Sequence, residues 1–212
     1  MYEPAAAVTD WILCLLNASF ALAAQLQRKT HWAGAFLALA AAAAAGAVYH
    51  AELRPTEHGE DAWALVSALV AASMLSLYLA SVVELVPPPA SRRWLLLGLL
   101  SASLLAGALA LGAGDLPSLV GSQALALGGI VLLWVRAWRR REPHAGTFVA
   151  AMVLSGVAAT LMAIPVRFEL GWTWDSAALY HLAQIPGLLV LFHGVRRRPA
   201  HRSPTAAGQE VD

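Results

Sequence analysis

Apolar stretches of about 20 residues, at roughly 8–26, 32–51, 62–86, 94–113, 117–137, 146–165 and 177–195, take up almost the whole chain. About 20 apolar residues make a helix long enough to cross the hydrocarbon of a bilayer. Backbone polar groups in lipid are satisfied only within helices or closed barrels. The pattern therefore predicts an all-α polytopic membrane protein with seven transmembrane helices. With 59% hydrophobic and 13% charged residues, too little polar side chain is present to clothe a soluble globule.

The charges orient that bundle. Arg28/Lys29, Arg92/Arg93, Arg136/Arg139/Arg140/Arg141 and Arg196/Arg197/Arg198/Arg202 fall on one side, and only Arg54 and Arg167 on the other. Basic connections stay cytoplasmic, so the N-terminus is expected outside and the C-terminus inside a plasma (inner) membrane. Glu52, Glu57, Glu60, Asp61, Asp115, Glu169 and Asp175 lie in the outer connections. All eight Trp residues fall at or near span ends or in connections, as an interfacial belt requires. The first stretch opens Met1-Tyr2-Glu3-Pro4, without a basic run, and is expected to be a retained helix rather than a cleaved signal. Topology accounts for the basic residues, so nucleic acid is not an expected partner and membrane lipids are.

Nothing between residues 8 and 195 is long and polar enough to form a second domain. Residues 1–196 are expected to form one helical domain, and residues 197–212, rich in Arg, Pro, Ser, Gly and Ala, a disordered cytoplasmic tail. Pro87-Pro88-Pro89 lacks the backbone donors to continue a helix and ends the third span. Ala40 to Ala45, with Gly46 and Ala47, offers a smooth surface against which neighbouring backbones pack closely in lipid, which places the second span centrally. Cys14 is the only cysteine, so no intrachain disulfide forms. The only lysine, Lys29, sits at the cytoplasmic edge of the first span, which excludes a retinal Schiff base.

The candidate functional residues gather at the outer ends of the spans. The second span runs outward to Tyr49-His50, one turn beyond Gly46, and the last span enters with Tyr180-His181, so the two imidazoles are expected at similar depth. Gln184 shares the face of His181, and Pro186 frees a carbonyl nearby. Asp61 opens the third span. Asp10 opens the first, with Asn17 two turns deeper on the same face. Polar groups at membrane depth mark functional sites. Two imidazoles and a carboxylate can hold Zn²⁺ with one position open for a water, whose pKa the metal lowers to about 7. A simpler role competes: Asp10, Asp61, Asp115 and Asp175 each stand where a helix entering from outside wants a capping carboxylate. Tyr49 and Tyr180 double as belt aromatics. Glu84 is expected to meet Arg92 or Arg93.

These residues resemble the CREST superfamily, the seven-helix membrane proteins that include alkaline ceramidases and progestin and adiponectin receptors. Gly46-Ala47-Val48-Tyr49-His50 is similar to that family's Ser-x-x-Phe-His-like motif, Asp61 stands where its Asp would be, and Tyr180-His181 resembles one half of its His-x-x-x-His pair. The motif Ser is Gly46 here, and the positions four before and four after His181 are Ala177 and Ile185, so one of the three metal-binding histidines is missing. The resemblance implies a lipid hydrolase whose zinc site opens to the outer leaflet, or a relative that no longer catalyses; an uncharacterised bacterial seven-helix family with a Tyr-His-Leu-x-Gln signature, as at Tyr180 to Gln184, fits equally well.

The leading expectation is a metal-dependent lipid amidase or esterase, with His50 and His181 as metal ligands and Asp61 as ligand, orienter or general base. Asp10, Asn17, Tyr49, Tyr180 and Gln184 would line its cavity. A non-catalytic sensor or accessory protein binding a lipid or small molecule is the alternative from another class. A third is b-type haem held between His50 and His181.

Overall fold

The structure is a computed structural model that describes residues 1–87, 90, 91, 93–95, 98 and 116–199. Helix α1 spans Pro4–Leu26, α2 Thr30–Val48, α3 Gly59–Leu85, α4 Leu116–Arg139, α5 Ala145–Thr160 and α6 Ser176–Arg197. A π-helical turn, Tyr49–Leu53, continues α2, and a 3-10 turn, Leu161–Ala163, continues α5. Five of these helices, Pro4–Leu26, Thr30–Leu53, Gly59–Leu85, Ala145–Ala163 and Ser176–Arg197, are long and apolar enough to cross a membrane. The fourth expected stretch, 94–113, and Asp115 lie almost wholly or wholly outside the described residues, as do residues 200–212 of the expected tail.

The distribution of side chains is that of a protein solvated by lipid. Leu15, Leu22, Leu37 and Val157 point outward, each more than 60% exposed, while Asp10, Asn17, Lys29, His50, Ser67, Ser73 and Ser81 are buried. Polar groups in such a bundle turn inward because hydrocarbon offers them no partner.

The fold is not wholly helical. Between α5 and α6 the chain forms an antiparallel hairpin, β1 (Arg167–Leu170) and β2 (Trp172–Asp175), which replaces the bare connection expected there. Gly171 turns the chain at φ +70°, a conformation open to glycine. Phe168, Thr173 and the two Trp residues suit strands, since aromatic and β-branched side chains pack well on a pleated surface.

Packing divides the bundle into two ends. Towards Lys29, Phe20 of α1 stacks on Phe192 of α6 at 4.1 Å, and Phe36 of α2 meets both rings edge-on. Trp134 of α4 stacks on Phe148 of α5 at 3.6 Å, with Trp32 of α2 beside it at 5.4 Å from Phe148. Trp134 Nε1 also donates to Ser81 Oγ of α3 at 3.0 Å. Interhelical hydrogen bonds in membranes average about 0.6 kcal/mol, and aromatic pairs about 0.5–1.5 kcal/mol beyond their buried area, so the ring stack contributes more than the bond.

This end also holds a polar hub. Glu84 accepts from His31 Nε2 at 3.1 Å, from Trp32 Nε1 at 3.3 Å and from Arg198 Nε at 2.6 Å. Of the expected partners, Arg92 lies outside the described residues and Arg93 is exposed; the guanidinium on Glu84 is that of Arg198, which also donates to Pro143 O at 3.1 Å and lies over Trp134. Lys29 donates to the carbonyls of Val195 and Arg196, the free C-terminal acceptors of α6. Its ammonium pKa is pulled down, first by burial.

Candidate functional site

The opposite end of the bundle brings together side chains from three elements. α1 starts at Pro4, favoured at a first helical turn because its missing donor is not needed there. Asp10 therefore lies within the helix, not at its opening as its expected capping role required. The residues before Pro4 pair with the π turn: Tyr2 N–H donates to Ala51 O and Glu3 N–H to His50 O, both at 3.0 Å. A π turn adds a residue to one helical turn and re-aims the side chains after it. His50 lies in that turn, buried. α6 begins after Asp175, whose Oδ1 accepts the Ala178 N–H at 2.9 Å, a true N-cap that places His181 one to two turns in.

Two imidazole–carboxylate pairs result. His50 Nδ1 donates to Glu3 Oε2 at 2.6 Å, and the other oxygen of Glu3 accepts from Arg54 Nη1. Burial raises the Glu3 carboxyl, but the bonds from Arg54 and His50 outweigh it and hold the group below its ordinary range; the Glu3 bond in turn raises Arg54. The second pair is looser: His181 Nδ1 lies 3.2 Å from Thr9 Oγ1 and 3.4 Å from Asp10 Oδ1. Thr9 gives its single proton to Ala6 O at 2.9 Å, so the ring nitrogen is the donor to Thr9. Each imidazole is thus held through its Nδ1, His50 on Glu3 and His181 between Thr9 and Asp10. Among the described residues neither Nε2 meets a hydrogen-bond partner. The rings stand 6.1 Å apart, centroid to centroid.

Above the His50–Glu3 pair opens a cavity of about 350 Å³. Tyr2, Glu3, Arg54, Arg167, Thr173 and Asp175 line it, with Ala6.

Placement of the sequence candidates is uneven. His50, His181 and Asp10 come together. Tyr49 packs on the His50 ring at 5.1 Å and Tyr180 on His181 at 5.5 Å. Asn17 is buried deeper, its Nδ2 donating to Leu13 O at 2.8 Å and its Oδ1 without a partner among the described residues. Gln184 is half-buried. Asp61 is exposed in the first turn of α3 and joins neither imidazole. Glu3 and Arg54 take that place, and only their types hint at it: an acid beside a helix start, and one of two basic residues on the acidic side.

A catalytic zinc takes three protein ligands. Among the described residues, no group of three or more His, Cys, Asp or Glu side chains stands together to hold a metal ion, so the donor set implied by the CREST resemblance is not assembled. No curated protein and no solved structure matches the chain. A family profile does match, over residues 5–200, and the chain belongs to that family: DUF6962, a family of unknown function.

Proposed function

We propose that this is a seven-span plasma-membrane protein, N-terminus outside and C-terminus inside, whose His50 end faces out and binds a polar small molecule or a lipid headgroup. One observation carries the reading: a cavity of about 350 Å³ lined by Glu3, Arg54, Arg167 and Asp175 at one end of the bundle. A few convergent polar groups lining a concavity are what fixes a small ligand's orientation. The orientation rests on the basic connections at the other end. Ligand binding to the native state raises the unfolding temperature. A screen of polar metabolites and lipids against the detergent-purified protein therefore tests the reading, and no hit across both classes overturns it.

The acid-held imidazoles support a second reading, b-type haem whose iron would be held by His50 and His181. Metal analysis and an absorption spectrum of the purified protein test this reading. Near-stoichiometric iron with a Soret band, lost in His50→Ala and in His181→Ala, would favour it over a metal-free binding protein.

A further inference from the structure

We infer that the cavity takes the headgroup of a zwitterionic phospholipid, with its phosphate on Arg167 and its ammonium on Asp175, and that the β1–β2 hairpin lies in the membrane interface to receive it. The inference rests on the reading of the cavity as a ligand site and names the ligand class.

The hairpin is amphipathic. Its register pairs Arg167 with Asp175, Phe168 with Trp174, Glu169 with Thr173, and Leu170 with Trp172. Side chains alternate along a strand, so Arg167, Glu169, Thr173 and Asp175 share one face and Phe168, Leu170, Trp172 and Trp174 the other. Three of the polar four line the cavity. On the apolar face Leu170 is 71% exposed and Trp172 45%. A lone two-stranded hairpin is marginal in water, and one that leaves Phe168, Leu170 and Trp172 exposed more so. At headgroup depth the same face is solvated by lipid, where Trp side chains concentrate. Trp174 holds the hairpin to the bundle, packing against Ala5, Ala6 and Ala178.

The charges select the headgroup. Arg54 and Glu3 already neutralise one another. Arg167 and Asp175 stand opposite each other across the ladder yet form no ion pair within 4.0 Å, and Arg167 has none with any other described residue. One Asp175 oxygen is spent on the α6 cap. The cavity thus keeps one cation and one anion available, side by side. A purely anionic group would meet Asp175 as a like charge, whereas a phosphate carrying an ammonium a few bonds away satisfies both. Soluble amino-alcohol phosphates share that chemistry, and the exposed apolar face of the hairpin favours the lipid.

The full-length protein in detergent micelles is titrated with phosphatidylethanolamine, phosphatidylglycerol and soluble glycerophosphoethanolamine, with thermal unfolding as the readout. Arg167→Gln, Arg167→Lys and Asp175→Asn are compared, the last keeping a capping oxygen. Phosphatidylethanolamine is expected to stabilise most, with the affinity about tenfold weaker in Arg167→Gln and Asp175→Asn, the loss of one charge-assisted contact, and largely kept in Arg167→Lys. Equal stabilisation by phosphatidylglycerol that survives Asp175→Asn overturns the zwitterion assignment and leaves the binding cavity standing. A soluble headgroup that matches the lipid overturns the lipid source. No shift with any probe, in protein that unfolds cooperatively, takes down the cavity reading along with the inference.

Discussion

Asp10 of α1 rests its carboxyl directly on Gly46 of α2, where a Cβ would stand 2.5 Å from Oδ2. A buried carboxyl thus fits between two membrane-crossing helices because its neighbour has no side chain. The same side chain keeps Oδ1 3.4 Å from His181 Nδ1, so the glycine indirectly sets the geometry of the imidazole.

Gly46→Ala forces that carboxyl or the helix to move, and overpacking of this kind costs about 1–3 kcal/mol. The penalty is expected to vanish in an Asp10→Ala background, which leaves room for the added methyl. A double-mutant cycle of detergent or denaturant unfolding measures this coupling, and additive losses would place the strain elsewhere.

Acid stability depends on Glu3. Its folded-state pKa lies below the ordinary 4.5. Its contribution is therefore fully present above 4.5 and is lost as pH falls through the folded value, where the unfolded chain already binds the proton. Glu3→Gln is expected to unfold at a lower temperature than the parent at neutral pH, with the difference shrinking on acidification below about pH 4.5. Melting curves across pH 3–7 check the sign, and a gap that widens in acid would contradict it.

At the other end, Arg198 is the only guanidinium among the described residues bonded to Glu84. Arg198→Ala leaves a mostly buried carboxylate without its permanent counter-charge, and breaking such a pair costs about 3–5 kcal/mol. Arg197→Ala, at an exposed neighbour, is expected within about 0.5 kcal/mol of the parent. Equal effects of the two substitutions on unfolding would show that Arg198 is not bound as described.

Orientation is checked on intact cells. In a Cys14→Ser background, Glu57→Cys is expected to react with a membrane-impermeant maleimide, and Arg140→Cys only after the membrane is opened. Both positions are exposed. The reverse pattern would turn the site inward.

Much of the scaffold could be read directly from hydropathy. The stretches 8–26, 32–51, 62–86, 117–137, 146–165 and 177–195 each meet a helix within a few residues, because a run of apolar residues in lipid has almost no option but to satisfy its own backbone. Proximity of His50 and His181 was legible for the same reason: in short-looped spans, depth follows from counting turns. The capping role of Asp175 was legible, since a cap is a local interaction.

What lay beyond the sequence was every relationship that depends on lateral neighbours. The acid bonded to His50 is Glu3 rather than Asp61, because the π turn re-aims the imidazole towards the start of α1 and α3 begins with its acid in the open. Glu84 found Arg198 rather than Arg93, because the end of α6 packs beside Glu84 of α3 and aims the Arg198 side chain at it. The hairpin escaped notice because four residues per strand carry little periodic signal. The sequence by itself determined that this chain carries helices long and apolar enough to cross a membrane, since apolar length is a one-dimensional property of the chain. Which acid holds which imidazole, and which charges share a cavity, only the tertiary structure decided, because hydrogen bonds and ion pairs act over a few ångström between helices whose sequence separation says nothing of their distance.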